Sequence, residues 1–120
     1  NKLKDLYPMA YDEICMHEFV MSLQPEKEDG ISAMDIAKGL LDDGITTYNV
    51  LPADRDEALM VEPTETESKE TLDDAIAVFR KLYELAETDP EKLHQAPVTT
   101  PVTRLDEVNA ARHPHLRYAF

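Results

Sequence analysis

Cys15 and His17 stand two residues apart, a spacing that turns both side chains to one face of an extended strand. A thiol beside an imidazole can be a nucleophile with its base, or two ligands of a zinc ion. Neither pattern is complete in this chain. No motif supplies an oxyanion hole, and two ligands do not make a metal site. The other histidines, His94, His113 and His115, are remote in sequence. His17 and Glu18 would point to opposite faces of a regular strand, so they are not expected to form an acid–base dyad. Asp54, Asp56 and Glu57 resemble the start of a calcium loop. That loop needs glycine at its sixth position, where Leu59 stands, so the run reads as a solvated turn.

The most unusual segment is Glu62 to Ser68. Pro63 fixes the backbone, and Thr64, Glu65, Thr66, Glu67 and Ser68 then offer carboxylates and hydroxyls ahead of a helix. The simplest reading is elaborate helix capping. The functional reading is one polar wall of a site completed by another domain. With three glycines in the chain there is no phosphate-cradling glycine loop and no dinucleotide fingerprint.

The elements that must carry these residues follow from periodicity. Residues 1–12 read as an N-terminal arm around Pro8. Glu13 to Leu23 reads as a strand, with Cys15, His17, Phe19, Met21 and Leu23 on one face and Ile14, Met16, Glu18 and Val20 on the other. Both faces are largely apolar, which predicts cover on both sides. Residues 24–30 read as a polar turn. A helix follows from Ser32, which has capping-box spacing to Asp35. Ile31 and Ile36 stand at staple positions, and Ile36, Ala37, Leu40 and Leu41 form a stripe that ends at Gly44.

Ile45 to Leu51 and Ala58 to Val61 read as strands, with a charged turn over residues 52–56. A long helix begins at Ser68 or Thr66. It carries Leu72, Ala75, Ile76, Phe79, Leu82, Tyr83 and Ala86 inward and ends near Thr88 or Asp89. A helical turn is expected over Glu91 to His94. A further helix is expected over Arg104 to Arg112, with Thr103 and Asp106 at capping-box spacing, before an extended end. The expected fold class is α/β (α+β): a short, mostly antiparallel sheet in the order strand, helix, strand, strand, helix, with helices on one face. Residues 1–95 make the domain and 96–120 a tail.

Composition narrows the partners. The chain has 120 residues and a net charge of −13, which argues against nucleic acid and against an anionic membrane surface. At 42% apolar residues with no Trp, the core should be mostly aliphatic with Met as filler. One cysteine excludes an internal disulfide and fits a reducing, cytoplasmic setting. No apolar run approaches the roughly 20 residues that span a bilayer. The first residue is not Met, as in a cut fragment or a processed chain.

Three stretches together resemble one family. They are Cys15 to Val20 (CMHEFV), Ala58 to Asp73 (ALMVEPTETESKETLD), and the tail. In the tail the matching residues are Thr100-Pro101-Val102, Arg104 to Val108, Ala110-Ala111-Arg112 and Leu116-Arg117-Tyr118. In this order and spacing they resemble the C-terminal part of glycine dehydrogenase (decarboxylating), the P-protein of the glycine cleavage system. The tail resembles subunit 2 of its two-subunit form.

The resemblance implies the small C-terminal domain of a type I pyridoxal-phosphate enzyme, packed on a large cofactor-binding domain absent from this chain. It implies glycine decarboxylation with pyridoxal phosphate and transfer of the aminomethyl group to the lipoyl arm of the H-protein. The partners would be the large domain, subunit 1 and the H-protein. None of the seven lysines sits in a motif matching the cofactor lysine, so no catalytic or cofactor-binding residue is expected in this fragment, which alone should be inactive. His17, Glu62, Thr64 and Glu65 are the candidates to face the cleft between domains. One stretch departs from the family, which carries a Gly-aromatic-His-Pro-Pro-Thr run leading to Phe-Pro-Leu. Here Gly44 is followed by Ile45 to Ala53, one residue shorter, and Asp54 and Arg55 replace apolar residues. The alternative reading is a divergent, non-catalytic interaction domain of the same fold.

Overall fold

The computed structural model describes residues 1–28, 30–46, 49–51 and 57–117. In chain order the elements are β1 (Phe19–Ser22), α1 (Gln24–Glu28), α2 (Ala33–Asp42), β2 (Asn49–Leu51), β3 (Ala58–Val61), α3 (Lys69–Thr88), α4 (Pro90–Gln95) and α5 (Glu107–Arg112). The sheet has the order β1-β3-β2 and is antiparallel throughout, with Phe19 opposite Val61, Ser22 opposite Ala58, and Asn49 opposite Met60. The strand–helix–strand–strand–helix order and the α+β class agree with the sequence reading. No described helix is long and apolar enough to cross a membrane.

The first strand is much shorter than its pattern predicts. Residues 8–10 of the arm fold back along β1: the Ser22 amide donates to Pro8 O at 2.8 Å and the Ala10 amide to Val20 O at 2.9 Å. Met9 bridges Met21. Residues 11–18 are therefore the connecting loop of a hairpin rather than strand, and the cover expected on both faces there is absent. Ile14 and Met16 are fully exposed and Cys15 is exposed, while Met21 and Leu23 are fully buried.

The predicted turn 24–30 contains helix α1, which Pro25 can open because an amide there would lack a helical partner. The capping box holds: Ser32 Oγ accepts from the Asp35 amide at 3.1 Å, and Asp35 Oδ2 accepts from the Ser32 amide at 2.9 Å. Ile31 and Ile36 are both fully buried at the staple positions. The helix closes as a Schellman turn, with Gly44 at φ 77 and the Ile45 amide donating to Leu40 O at 2.9 Å. Ile45 therefore ends a helix rather than starting a strand, and β2 begins only at Asn49. Thr47, Tyr48 and residues 52–56 lie outside the described residues.

Ser68, not Thr66, caps α3, accepting from the Thr71 amide at 3.1 Å. The last helix starts at Glu107 rather than Arg104, because the Asp106 carboxylate accepts from the Asn109 amide at 2.9 Å and fixes the cap there. The predicted pairing of Thr103 with Asp106 is replaced by this one.

The core is largely aliphatic, as expected, with Met21, Leu23, Ile31, Ile36, Leu40, Leu59 and Leu93 fully buried or nearly so. An aromatic knot departs from that expectation. Tyr7 of the arm is fully buried and meets Phe79 and Tyr83 edge to face, at ring separations of 6.0 and 5.5 Å. Its hydroxyl donates to Phe79 O at 2.8 Å. Burial, helped by nearby Glu26 and Tyr83, pushes that phenol above its ordinary range. The arm is thus an integral layer of the core.

Candidate functional site

The pairing of β1 with β3 ends at Phe19 opposite Val61. Beyond that pair one chain passes back into Glu18 and His17, and the other forward into Glu62, Pro63 and Thr64. The register therefore sets His17 and the Glu62–Glu65 run at the same end of the sheet. His17, Glu62, Thr64 and Glu65 are all exposed. His17 Nε2 lies 3.9 Å from Glu18 Oε2, so the expectation of opposite faces fails where the strand does. The polar run is a turn that feeds α3: the Glu67 amide donates to Thr64 O at 3.1 Å, and the Thr64 and Thr66 hydroxyls bond at 2.8 Å. Chemically this end is a wall of acceptors and hydroxyls. No group of three metal-ligating side chains occurs among the described residues.

A second polar centre lies at the first turn of α2, and the sequence reading found only half of it. Asp35 is buried and serves more than its helix cap. Arg104 Nη2 donates to Asp35 Oδ1 at 2.7 Å and to Leu93 O at 2.9 Å, and Arg104 Nε donates to Ala96 O. His94 Nδ1 is 3.5 Å from the other Asp35 oxygen. Burial alone would raise the Asp35 carboxyl, but hydrogen bonds from Ser32 and Arg104 outweigh it and hold the group below its ordinary range. The only hint in the sequence was Asp instead of Glu in the capping box, a shorter side chain that keeps the carboxylate tight against the helix end.

At the C-terminal end of α2, its last residue, Asp42, fastens the tail in the same way. It accepts from the Val98 amide at 2.8 Å, the Thr99 amide at 2.8 Å and the Thr99 hydroxyl at 2.7 Å. Partial burial works against ionisation there too. The Thr99 and Val98 bonds and the nearby Lys81 charge outweigh it and lower the Asp42 carboxyl. Residues 96–104 are therefore strapped to α2. Glu57, read from sequence as part of a solvated turn, instead accepts from the Ala33 amide at 2.7 Å and helps to cap α2.

Pyridoxal phosphate, the cofactor implied by the sequence resemblance, needs a Schiff-base lysine, a phosphate cradle and a pyridinium partner. Lys2, Lys4, Lys69, Lys81 and Lys92 all stand in surface ion pairs with aspartates. Lys38 lines an open groove of about 250 Å³ with Met34, Leu105, Asp106 and Val108. The other cation of that groove, Arg104, is already engaged by Asp35 and two carbonyls. The described residues do not fit the cofactor.

The sequence model of the family described as glycine dehydrogenase, C-terminal domain, matches residues 1–100. A protein of Treponema denticola named probable glycine dehydrogenase (decarboxylating) subunit 2 is 56% identical over 98% of this chain and 25% of its own length. Proteins of the same name from Fervidobacterium nodosum and Thermosipho melanesiensis are 49% and 46% identical, over 98% and 100% of this chain. The chain spans about a quarter of the length of the curated relatives it matches. On the match over residues 1–100 and identities near half along almost its whole length, the chain belongs to the glycine dehydrogenase C-terminal domain family.

Proposed function

We propose that this chain is the C-terminal domain of a glycine decarboxylase of the P-protein type. In this reading the whole enzyme decarboxylates glycine with pyridoxal phosphate and passes the aminomethyl group to the lipoyl arm of an H-protein. The cofactor, its lysine and the reacting atoms belong to a large domain joined to this one, and subunit 1 completes the assembly in the cytoplasm. The segment alone neither binds the cofactor nor turns over glycine. Its contribution is a rigid α+β body that presents His17, Glu62, Thr64 and Glu65 toward the cleft between domains. The observation that carries the reading is the near-complete match of the chain to proteins named as subunit 2 of this enzyme. The acidic surface supports protein partners over nucleic acid or membrane.

The departure over residues 45–56 favours a second reading, a non-catalytic interaction domain of the same fold. One assay separates the two. The complete protein, reconstituted with subunit 1, pyridoxal phosphate and lipoylated H-protein, should exchange the glycine carboxyl with bicarbonate. A well-folded, cofactor-loaded complex without exchange overturns the catalytic reading and favours the second.

A further inference from the structure

The loop between the arm and β1 has a fixed base and an apolar tip. Its base is closed by the Ala10 to Val20 and Pro8 to Ser22 backbone bonds and by the Met9–Met21 bridge. Lys4 pairs with Asp12 and ties the first half of the loop back to the arm. At the tip Ile14 and Met16 have relative exposures of 103% and 96%, and Tyr11 follows at 79%. Single exposed aliphatics are ordinary on a protein surface. Two fully exposed ones, two residues apart on a pinned hairpin, form a local apolar knob, more exposed than Val98, Val102, Leu105, Val108 and Leu116 of the tail. The knob adjoins His17 in the chain and projects from the end of the sheet where Glu62 to Glu65 lie.

We infer that this hairpin is a docking element, and that Ile14 and Met16 seat in an apolar pocket, rimmed by lysine or arginine, on the larger body that precedes the domain in the longer protein. The inference rests on the reading above that such a body exists. Two observations select this occupant over a second copy of the chain. The relatives extend well beyond the matched quarter of their length, and the family is described as a C-terminal domain, so a body lies ahead of it there. Glu13 and Glu18 flank the tip, and two copies meeting tip to tip would set these carboxylates against each other on a chain of net charge −13. A basic rim on a different surface is complementary to them. Docked in this way, the knob fixes the position of His17 and the polar run at the seam.

Cys15 lies between the two anchors and is exposed, which makes it the reporter. The full-length protein is treated with iodoacetamide, and Cys15 alkylation is followed by peptide mass spectrometry. A free peptide spanning Tyr11 to Glu18 serves as the unprotected reference. The docking predicts alkylation slower than in the peptide by about tenfold or more, because thiol reactivity follows access. An Ile14→Asp, Met16→Asp double variant should bring the rate back toward that of the peptide. Rates within about twofold of each other in the peptide and the wild-type protein overturn the inference. If the double variant fails to fold, the wild-type rate alone still decides. The measurement needs neither glycine nor cofactor, so an inactive but protected protein would fail the catalytic reading and keep the docking.

Discussion

Asp35 shows how far a single residue can be read from its neighbours in sequence. Its spacing from Ser32 predicts the capping box, and the box is present. Its second role depends on Arg104, 69 residues away, and local pattern holds no trace of a contact at that separation. Removing the carboxylate would leave Arg104 without its charged partner and the Ser32 amide and hydroxyl without their shared acceptor. Asp35→Ala should therefore lower stability by about 2–4 kcal/mol, read from urea unfolding. A loss within experimental error of zero would mean that the clasp is ornamental.

The same residues set the acid limit of the fold. Asp35 and Asp42 are held below the ordinary carboxylate range in the folded state. Their contribution is complete above the unfolded carboxylate value, about 3.9, and is lost as pH falls through the lower folded values. Thermal stability should be level from neutral pH to about pH 5 and fall below about pH 4, and Asp35→Asn should make the fall shallower. His17, Glu62, Thr64 and Glu65 were legible as chemistry-bearing types. What unites them at one end of the sheet is the β1–β3 register, which periodicity alone does not supply.

At the scale of elements, α2 and α3 were legible, while α1, the start of α5 and the edges of the sheet were not. Capping residues act locally, so Ser32 and Gly44 marked the two ends of α2, and Ser68 was one of two candidates, with Thr66, for the start of α3. The third strand matches its pattern, Ala58–Val61, but the first two are shorter than theirs. Apolar residues on both faces of 13–18 belong to a hairpin loop, and the β-branched Ile45 to a helix C-terminus. Helix packing turns on Gly39, a position the sequence left unremarked within the α2 stripe. A Cβ there would stand 3.0 Å from a Leu82 methyl and 3.1 Å from a Leu93 methyl, both on buried side chains. Glycine lets α2 approach α3 and α4 closely, at a helix-propensity cost of about 1 kcal/mol relative to alanine. Gly39→Val should be destabilising by about 2–3 kcal/mol, since overpacking adds to the strain of a β-branched residue in a helix. A valine variant with an unchanged unfolding midpoint would show that the helices are free to separate.

For the molecule as a whole, the sequence carried the family further than it carried the shape. The three motif stretches lie in the hairpin and β1, in β3 with the start of α3, and in the tail from Thr100 onward, whose Tyr118 lies outside the described residues. These are segments whose residues are largely exposed rather than core. The fully exposed Met16 lies in the first of them and the fully exposed Ile14 beside it. The central claim is that the chemistry belongs to the complete enzyme and the domain serves it by docking. The most direct test is glycine carboxyl exchange with bicarbonate, run side by side on the 120-residue chain with pyridoxal phosphate and on the complete cofactor-loaded complex. Exchange is predicted in the complete complex only. Exchange by the short chain alone, or none from the complete complex, would contradict it.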